Sequence, residues 1–423
     1  MLTFEQALAV VCEKVGISAT KPALESVPLI EARGRILAEN LIADRDYPPF
    51  NRSIRDGYAV RSAEVDRVPA TLEVVGLARA GEPFAESVAS RTNCAVEIMT
   101  GAPLPEGTDS VVMIEHTREA VSHAPDAGAR QKREVEILRR VEPFENLVRK
   151  GREAASGGCV LGRGSRLGPG EIGLAASIGC SQVRVFARPR VAILPTGDEV
   201  VPVDRKPEWF QIRNSNALTL AAQVEAAGGI PQICGVAADN KRDLRCKIEE
   251  ALGSDLVVLS GGISVGKFDF VAEVLAELGT EFYIQGVALR PGKPLTFGQV
   301  RERLFFALPG NPVSTFVTFE LFVRPAIAAL GGAPFQPPVF LKARLGKPVR
   351  QKTGLSVFMP ARVTAESTGR GADGQTNPVV ERVGWQGSGD LVGLAEANCF
   401  LVIHPNQTEL APGDWVDVLP KTW

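Results

Sequence analysis

Between residues 190 and 330, short apolar runs alternate with segments in which apolar residues recur at helical spacing. This alternation predicts a mostly parallel β-sheet that is covered by helices on both faces. Ligands of such sheets bind in the loops beyond the carboxyl ends of the strands. We predict strands over 190–194, 232–238, 255–259, 281–289, 295–297 and 304–308, and helices over 216–227, 241–252, 270–278 and 312–330.

The rest of the 423-residue chain divides at clusters of turn residues. Residues 1–16 are predicted to form a helix that ends at Gly16. The stretch 44–141 has short β-like runs between prolines and glycines, and it predicts a small mostly-β domain. The glycine-rich stretch 142–188 is interpreted as a joint between domains. Over 336–423, apolar runs alternate with turns, which predicts a small β-barrel or sandwich.

The composition is that of an ordinary globular protein, with 45% hydrophobic and 23% charged residues. A net charge of −2 gives no bulk attraction to nucleic acid or acidic lipid, so neither is expected as a partner. The seven cysteines form no CxxC pair, which disfavours a zinc site and suits a reducing compartment. Glu5 and Glu13 interrupt the region where a signal peptide would be apolar, and no uninterrupted apolar run approaches the length of a membrane span. We expect a cytoplasmic protein.

Residues 255–269, DLVVLSGGISVGKFD, combine a buried strand, a glycine-rich loop and the start of a helix. Consecutive backbone N–H groups in such a loop, together with the helix dipole, can bind an anion. The candidate binding residues of this loop are Ser260, Gly261, Gly262 and Ser264. The alternative is a tight turn from strand to helix that binds nothing.

The same loop contains an incomplete nucleotide-binding motif. Gly261, Gly266 and Lys267 match G-x-x-x-x-G-K, but Phe268 stands where the motif needs a hydroxyl group to hold Mg²⁺. We therefore do not expect an NTPase P-loop.

Two further loops suit oxyanions. The segment 308–314, LPGNPVS, leads from a strand end into a helix and offers the candidates Pro309, Gly310, Asn311, Pro312 and Ser314. Its N–H groups at residues 310, 311, 313 and 314 are predicted to remain available for an anion, although plain helix capping would explain the same pattern. The segment 290–294, RPGKP, holds Arg290 and Lys293 on a stiff turn.

Carboxylates follow the predicted strand ends. They are Asp198, Glu199, Asp239 and Asp269, and a parallel sheet would bring them to one edge. Each acid alone is more often a helix cap, but acids grouped beside anion-binding loops indicate Mg²⁺ that bridges to phosphate oxygens. The polar loops at 48–58 and 99–105 have no purpose that the residues alone reveal, and we find no Ser/His/Asp or Cys/His set.

Seven or more motifs occur in one order along nearly the whole chain: SIRDGYAV, AGEP, EIMTGAPLPEGTDSVVMIEHT, PRVAILPTGDEV, RNSNA, DLVVLSGGISVGKFD, RPGKP and LPGNPVS. With them the chain resembles the MoeA family, the molybdopterin molybdenumtransferases, which include the C-terminal enzyme domain of gephyrin. The resemblance implies four domains. They are a helical linker domain (1–43 and 142–188), an inserted mostly-β domain (44–141), an α/β molybdopterin-binding domain (189–331) and a C-terminal β-barrel (336–423).

The resemblance also implies a reaction and an assembly. Molybdenum from molybdate would enter adenylylated molybdopterin, and Mg²⁺-dependent cleavage of the pyrophosphate would release AMP. The enzyme would be a homodimer whose site lies between the α/β domain of one subunit and the inserted domain of the other.

By motif position, the resemblance assigns Asp56 and Thr100 to the inserted domain's share of the site. It assigns Glu199, Asp239 and Asp269 as the catalytic, metal-holding acids of the α/β domain. It places Lys293, Pro309 and Pro312 in the oxyanion loops.

The chain departs from the family pattern at Arg52, Arg55, Arg152 and Lys267, which make the predicted site more basic. Two alternatives to this enzyme are a scaffold of the gephyrin kind and the adenylylating enzyme of the preceding step. Retention of the acids favours catalysis over a scaffold, and the extra domains argue against the adenylylating enzyme, which is a single α/β domain. That enzyme and molybdoenzyme acceptors are the partners we expect besides a second copy of the chain.

Overall fold

The computed structural model describes residues 1–18, 22–121, 133–262, 270–352, 354–364 and 377–421. The chain folds as two compact units. The first comprises Met1–Glu39, Gly164–Gly168 and Gln182–Trp423, and the second comprises Asn40–Arg163 and Pro169–Ser181. This division into two units does not test the boundaries of the four predicted domains, and those boundaries stay a prediction.

The helices of the described residues are α1 (Phe4–Ser18), α2 (Pro169–Ser177), α3 (Ser215–Ala226), α4 (Lys241–Ala251), α5 (Phe270–Glu277), α6 (Pro312–Thr318), α7 (Arg324–Leu330) and α8 (Leu391–Glu396). The strands of the first half are β1 (Leu24–Pro28), β2 (Leu41–Ile42), β3 (Arg52–Ser53), β4 (Gly57–Val60), β5 (Ala70–Ala78), β6 (Cys94–Ile98), β7 (Ser110–Met113), β8 (Thr117–Val121), β9 (Arg133–Ile137), β10 (Leu147–Val148), β11 (Cys159–Leu161) and β12 (Gln182–Phe186). Those of the second half are β13 (Arg190–Pro195), β14 (Val200–Val201), β15 (Ile212–Arg213), β16 (Ile230–Ile233), β17 (Leu256–Ser260), β18 (Glu281–Gln285), β19 (Leu289–Arg290), β20 (Thr296–Val300), β21 (Arg303–Leu308), β22 (Leu341–Leu345), β23 (Val349–Arg350), β24 (Ser356–Thr364), β25 (Val379–Arg382), β26 (Cys399–Ile403), β27 (Glu409–Leu410) and β28 (Trp415–Pro420).

A six-stranded sheet organises the second unit, in the order β7-β4-β6-β5-β9-β8. Successive residues of β4 point to opposite faces, so that Tyr58 and Val60 belong to one apolar cluster and Ala59 belongs to another. Because both faces are covered at β4 and β7, these two strands are almost continuously apolar, as the sequence shows for 57–60 and 110–113.

A second six-stranded sheet is the centre of the first unit, in the order β16-β13-β17-β21-β20-β18. The pairs from β16 to β21 are parallel, and the last two pairs are antiparallel. In β13, Val191 and Ile193 face the cluster that contains residues of α1, α3, α6 and α7, whereas Ala192 and Leu194 face the cluster of α4 and α5. The predicted sheet with helices on both faces is therefore confirmed.

Three predicted elements differ from the structure. The strand predicted over 281–289 is two strands in different sheets, because the chain turns at Gly286, whose φ is +91°. The strand predicted over 232–238 is β16, which ends at Ile233. The first helix does not stop at Gly16 but continues to Ser18.

The C-terminal region forms a closed barrel. Strands β24, β25, β22, β28 and β26 pair in succession, and β26 pairs back onto β24. Their inward residues form one apolar cluster that includes Leu345, Val357, Leu401 and Val418. Of the two forms predicted for this region, the structure has the barrel.

The predicted helix over 312–330 is one continuous run, α6 and α7, joined by a π-helical turn at Phe319–Val323. It is the one helix of the described residues that is long and apolar enough to cross a membrane. Of its apolar window, 83% is buried inside the fold, which is how the core helix of a sheet protein behaves.

Gly57, which follows Asp56 in the second unit, has no room for a side chain. A Cβ there would lie 1.9 Å from the carbonyl oxygen of Val112 in the neighbouring strand. We expect Gly57→Ala to lower the free energy of unfolding by at least about 3 kcal/mol, because backbone cannot move aside as a flexible side chain can. Thermal unfolding and protease resistance of the purified variant measure this.

Gly173→Ala is the matched control, since it adds the same methyl group inside α2 of the same unit, where nothing lies within 4 Å. It should leave stability unchanged or raise it by about 0.5–1 kcal/mol, because alanine favours helix. Equal stability of the two variants would contradict the clash.

Candidate functional site

A cavity of about 390 Å³ lies at the carboxyl ends of the parallel strands β13, β17 and β21, within the first unit. This is the position at which open α/β sheets bind ligands. The cavity is lined, among the described residues, by Pro195, Thr196, Gly197, Glu199, Val200, Ile212, Arg213, Asn214, Ser215, Asn216, Asp239, Ser260, Gly261, Gly262, Pro294, Pro309, Gly310, Asn311 and Pro312.

Two glycines let the loops after β13 and β17 approach each other closely. A Cβ on Gly261, whose φ is +99°, would lie 2.8 Å from the carbonyl oxygen of Thr196 and 2.9 Å from its Oγ1. A Cβ on Gly262, at φ +66°, would lie 2.6 Å from Val271 and 2.9 Å from the same hydroxyl. The Gly-Gly pair is thus a requirement of packing as well as a source of accessible backbone. Thr196 Oγ1 is buried and has no hydrogen-bond partner within the part of the chain that is described.

Asn216 joins two of the strand ends across the cavity. Its Nδ2 donates to Ser260 Oγ at 2.9 Å and to the carbonyl oxygen of Gly310 at 2.7 Å. Asn214 caps the same helix, α3, by accepting from the N–H of Ala217 at 3.1 Å. Both belong to the RNSNA motif, but Asn216 was not among the predicted site residues. The sequence signal that could have found it is the pair of asparagines, Asn214 and Asn216, at the start of a predicted helix.

The start of α6 forms another wall. Over the described ranges, the N–H groups of Gly310, Asn311 and Ser314 have no acceptor, and those of Gly310 and Asn311 belong to residues that line the cavity, so these two can serve an anion at this helix N-terminus. The prediction for residue 313 was wrong, because Val313 N–H donates to the carbonyl oxygen of Ser388 at 2.9 Å. Sequence could not show a partner 75 positions away.

Acidic side chains lie at the same edge. Glu199 and Asp239 line the cavity, and Asp198 Oδ1 accepts from the N–H of Asp239 at 3.0 Å. Burial raises the pKa of Asp239, and the negative charges of Asp198 and Glu199 raise it further. A hydrogen bond with the backbone of Asp198 acts in the opposite direction and lowers this pKa. Asp239 would therefore be stabilised as a carboxylate by a nearby cation.

A complete cluster of metal-binding side chains does not occur among the described residues. No group of three or more His, Cys, Asp or Glu side chains suited to a metal ion occurs among the described residues. The predicted residues Ser264 and Asp269, and the departure Lys267, lie outside the described residues. The metal role of Glu199, Asp239 and Asp269 stays a prediction.

Three of the described residues that were predicted to bind substrate do not line the cavity. Arg290 and Lys293 are exposed, and Pro294 of the same loop lines the wall instead. Ser314 is buried in the first turn of α6, with 4% of its surface exposed. Their predicted contacts with substrate stay predictions.

Asp56 and Thr100 contact each other in the second unit. Both are exposed, and Asp56 Oδ1 accepts from the N–H of Thr100 at 2.7 Å. The DGY and MTG motifs thus meet and fix this carboxylate at the surface. Nearby, Arg52 pairs with Glu153 at 3.2 Å, so this departure from the family pattern has an acidic partner in the same unit.

Models of known protein families match nearly the whole length of the chain. Three family models match: the MoeA N-terminal region (domains I and II) over residues 2–179, a probable molybdopterin-binding domain over 192–329, and the MoeA C-terminal region (domain IV) over 342–421. Molybdopterin molybdenumtransferases of Nostoc and Haemophilus influenzae are 36% and 33% identical, over 93% and 99% of this chain and 88% and 98% of theirs.

The chain belongs to the molybdopterin molybdenumtransferase family. It is a transferase of molybdenum cofactor biosynthesis, and its substrate is a molybdopterin. The fold agrees: a molybdopterin biosynthesis MoeA protein of Pyrococcus horikoshii has a TM-score of 0.79 at 27% identity. That likeness covers 99% of this chain and all of the other. A second structure from that organism gives 0.73 at 31% identity, with both chains covered in full.

Asn216 should be a positioning residue of this transferase. We expect Asn216→Ala to lower kcat/KM at least about tenfold, because the loops at Ser260 and Gly310 lose the side chain that joins them. The loss of two hydrogen bonds should cost about 1–3 kcal/mol of stability. Steady-state kinetics and thermal unfolding measure the two effects.

Asn398→Ala is the control, because Asn398 also makes two hydrogen bonds, both with Val363 in the barrel and outside the cavity. It should lose similar stability and keep its activity. If both variants keep full activity per folded molecule, Asn216 serves the fold alone.

Proposed function

We propose that this chain transfers molybdenum from molybdate to adenylylated molybdopterin, with Mg²⁺-dependent cleavage of the pyrophosphate and release of AMP. One observation carries the proposal. A single cavity joins hydrogen-bond donors for phosphate to the carboxylates Glu199 and Asp239. Donors and acids in one place suit a pyrophosphate that is held by the protein and by a divalent cation.

The chain's own groups have distinct roles in this reaction. The N–H groups at the starts of α3 and α6 hold phosphate oxygens, because the partial positive ends of both helices meet at the cavity. Asn216 keeps the loops after β17 and β21 at a fixed separation while the phosphates are bound. Arg213, on the wall, adds a positive charge.

The residues present fit Mg²⁺. This ion binds through one or two carboxylates together with substrate phosphates, and Glu199 and Asp239 supply two carboxylates beside the phosphate-binding backbone. Burial raises the pKa of Asp239 and the charges of Asp198 and Glu199 raise it further, so a bound cation would stabilise its carboxylate. Mg²⁺ would supply charge neutralisation for the pyrophosphate oxygens, and Asp269 is the predicted third acid.

We propose a homodimer on the strength of the family resemblance. In it, Asp56 and Thr100 of one subunit complete the site on the α/β domain of the other. The exposed but fixed carboxylate of Asp56 supports this role, because a surface acid that is held by a backbone N–H is prepared for a ligand. We also place the reaction in the cytoplasm, since the seven cysteines form no CxxC pair and show no spacing pattern, which suits a reducing compartment.

The expected partners in this pathway are the adenylylating enzyme of the preceding step and molybdoenzyme acceptors. A scaffold function is the alternative to the transferase reaction. The scaffold is disfavoured by the polar cavity with its two acids, which a scaffold has no need to keep. An adenylylating enzyme of one α/β domain is disfavoured because family models match from residue 2 to residue 421.

The first test is AMP release from adenylylated molybdopterin. AMP should appear when both molybdate and Mg²⁺ are present, and chelation of Mg²⁺ should abolish it. Asp239→Asn should lower kcat at least about 100-fold, because the charge near the pyrophosphate is lost. Chromatographic quantification of AMP gives the rates.

Asp204→Asn is the matched control, an exposed acid of the same unit outside the cavity lining, and it should behave as wild type. Equal AMP release with and without molybdate would contradict the transferase reaction as proposed.

The shared site makes a second prediction. Asp56→Ala and Asp239→Asn proteins should each be nearly inactive, but their mixture after subunit exchange should regain up to about a quarter of wild-type activity, and purified mixed dimers up to about half. The reason is that a mixed dimer has one site with both carboxylates intact, and random exchange makes half of the dimers mixed. Differently tagged subunits, purified in tandem, establish that exchange took place. Absence of recovery in purified mixed dimers would place both residues in one subunit's site.

A further inference from the structure

An exposed aromatic pair lies on the loop beside the cavity. Residues 202–211 connect β14 to β15, and the strand residues Val200 and Ile212 at its two ends line the cavity. Trp209 is 94% exposed and Phe210 is 58% exposed. A tryptophan with nearly all of its surface in water is unusual in a folded chain, and exposed apolar groups at a cleft mark places where something binds.

The pair has an ordered base. The N–H of Ile212 donates to the carbonyl oxygen of Glu199 at 2.9 Å, and that of Gln211 donates to Glu208 at 3.0 Å. The rings of Trp209 and Phe210 meet edge to face with centroids 5.5 Å apart. The aromatic pair is therefore organised by the chain itself, although most of the Trp209 surface remains uncovered.

Chain geometry keeps the pair close to the cavity. Trp209 precedes Ile212 by three residues, so their Cα atoms are at most about 11 Å apart, since consecutive Cα atoms are about 3.8 Å apart. Trp209 can thus reach a ligand that protrudes from the cavity mouth.

The cavity wall itself offers no ring face. Its described lining has prolines, glycines, polar side chains and aliphatic residues, and none of the lining residues described is Phe, Tyr or Trp. The substrate of the proposed reaction has two fused, nitrogen-containing ring systems, the pterin and the adenine, and each includes a planar heterocycle. Such rings bind best against aromatic faces, which provide stacking without demanding a particular hydrogen-bond pattern.

We propose that Trp209 and Phe210 stack on a planar ring of the bound substrate and hold it at the mouth of the cavity while the phosphates lie inside. The inference rests on the proposed function, and it adds a ring-binding subsite to it. The shared chemistry is a fused, nitrogen-containing ring, and the adenine and the pterin are the two sources that a test must separate.

The test measures binding of AMP and of molybdopterin separately, each with Mg²⁺, by calorimetry and by tryptophan fluorescence. Trp209→Ala should raise the dissociation constant of one of the two ligands about tenfold, which identifies the ring. Trp209→Phe should restore affinity to within about threefold of wild type, because a phenyl ring also stacks. For turnover of adenylylated molybdopterin, KM should rise in Trp209→Ala while kcat changes less than about twofold.

Fluorescence supplies a signature that a structural role would not give. Ligand should change the emission of the wild type and of Trp415→Phe, the control that removes a half-exposed tryptophan of the barrel. The change should be absent in Trp209→Phe. Unchanged affinity for both ligands in Trp209→Ala, with the emission change retained in Trp209→Phe, would overturn the inference and leave the proposed function standing.

Two other outcomes also decide the matter. If Trp209→Ala alters the oligomeric state on size-exclusion chromatography with no effect on ligand affinity, the pair serves a subunit contact and the inference is wrong. If the wild-type protein binds neither ligand and releases no AMP, the proposed function itself fails, and the ring subsite fails with it.

Discussion

The site depends on how closely three strand ends approach one another. Thr196 lies so near Gly261 and Gly262 that neither glycine could carry a Cβ without meeting its backbone or hydroxyl. This contact brings the loop after β17 against the loop after β13, and Asn216 then joins the loop after β21 to the end of β17. The sheet makes the approach possible, because parallel strands buried on both faces end at one edge.

The fold was largely predictable where a local pattern decides it. In β13, alternate residues are apolar on both sides, and the run 190–195 can hardly be anything but an interior strand. The prediction was less successful where two apolar runs follow each other. Residues 281–290 look continuous in sequence, yet Gly286 turns the chain and Leu289 joins the barrel. A positive φ at one glycine is decided by tertiary packing, which a periodicity does not contain.

The candidate site was predictable in its loops and less so in its contacts. The glycine-rich loop, the LPGNP turn and two acids were found from residue type and order, and they line one cavity. Asn216 was missed because an asparagine in the first turn of a helix has an ordinary explanation as part of a cap. The hydrogen bond from Val313 to Ser388 joins residues far apart in sequence, and neither residue type announces it.

The apolar core of the first unit has a consequence for dissecting the protein. One cluster contains Phe4 of α1, Phe322 of the π-helical turn between α6 and α7, and Phe400 of the barrel. Phe316 of α6 lies 5.7 Å from Phe400, ring centre to ring centre. At the start of α6, beside the cavity, the N–H of Val313 donates to the carbonyl oxygen of Ser388. The α/β segment is thus a unit of sequence comparison, but its apolar core is shared with α1 and the barrel. An excised fragment of residues 189–331 would expose aromatic surface on two sides and release the helix end that faces the cavity, so modular engineering of this scaffold must carry α1 and the barrel along with it.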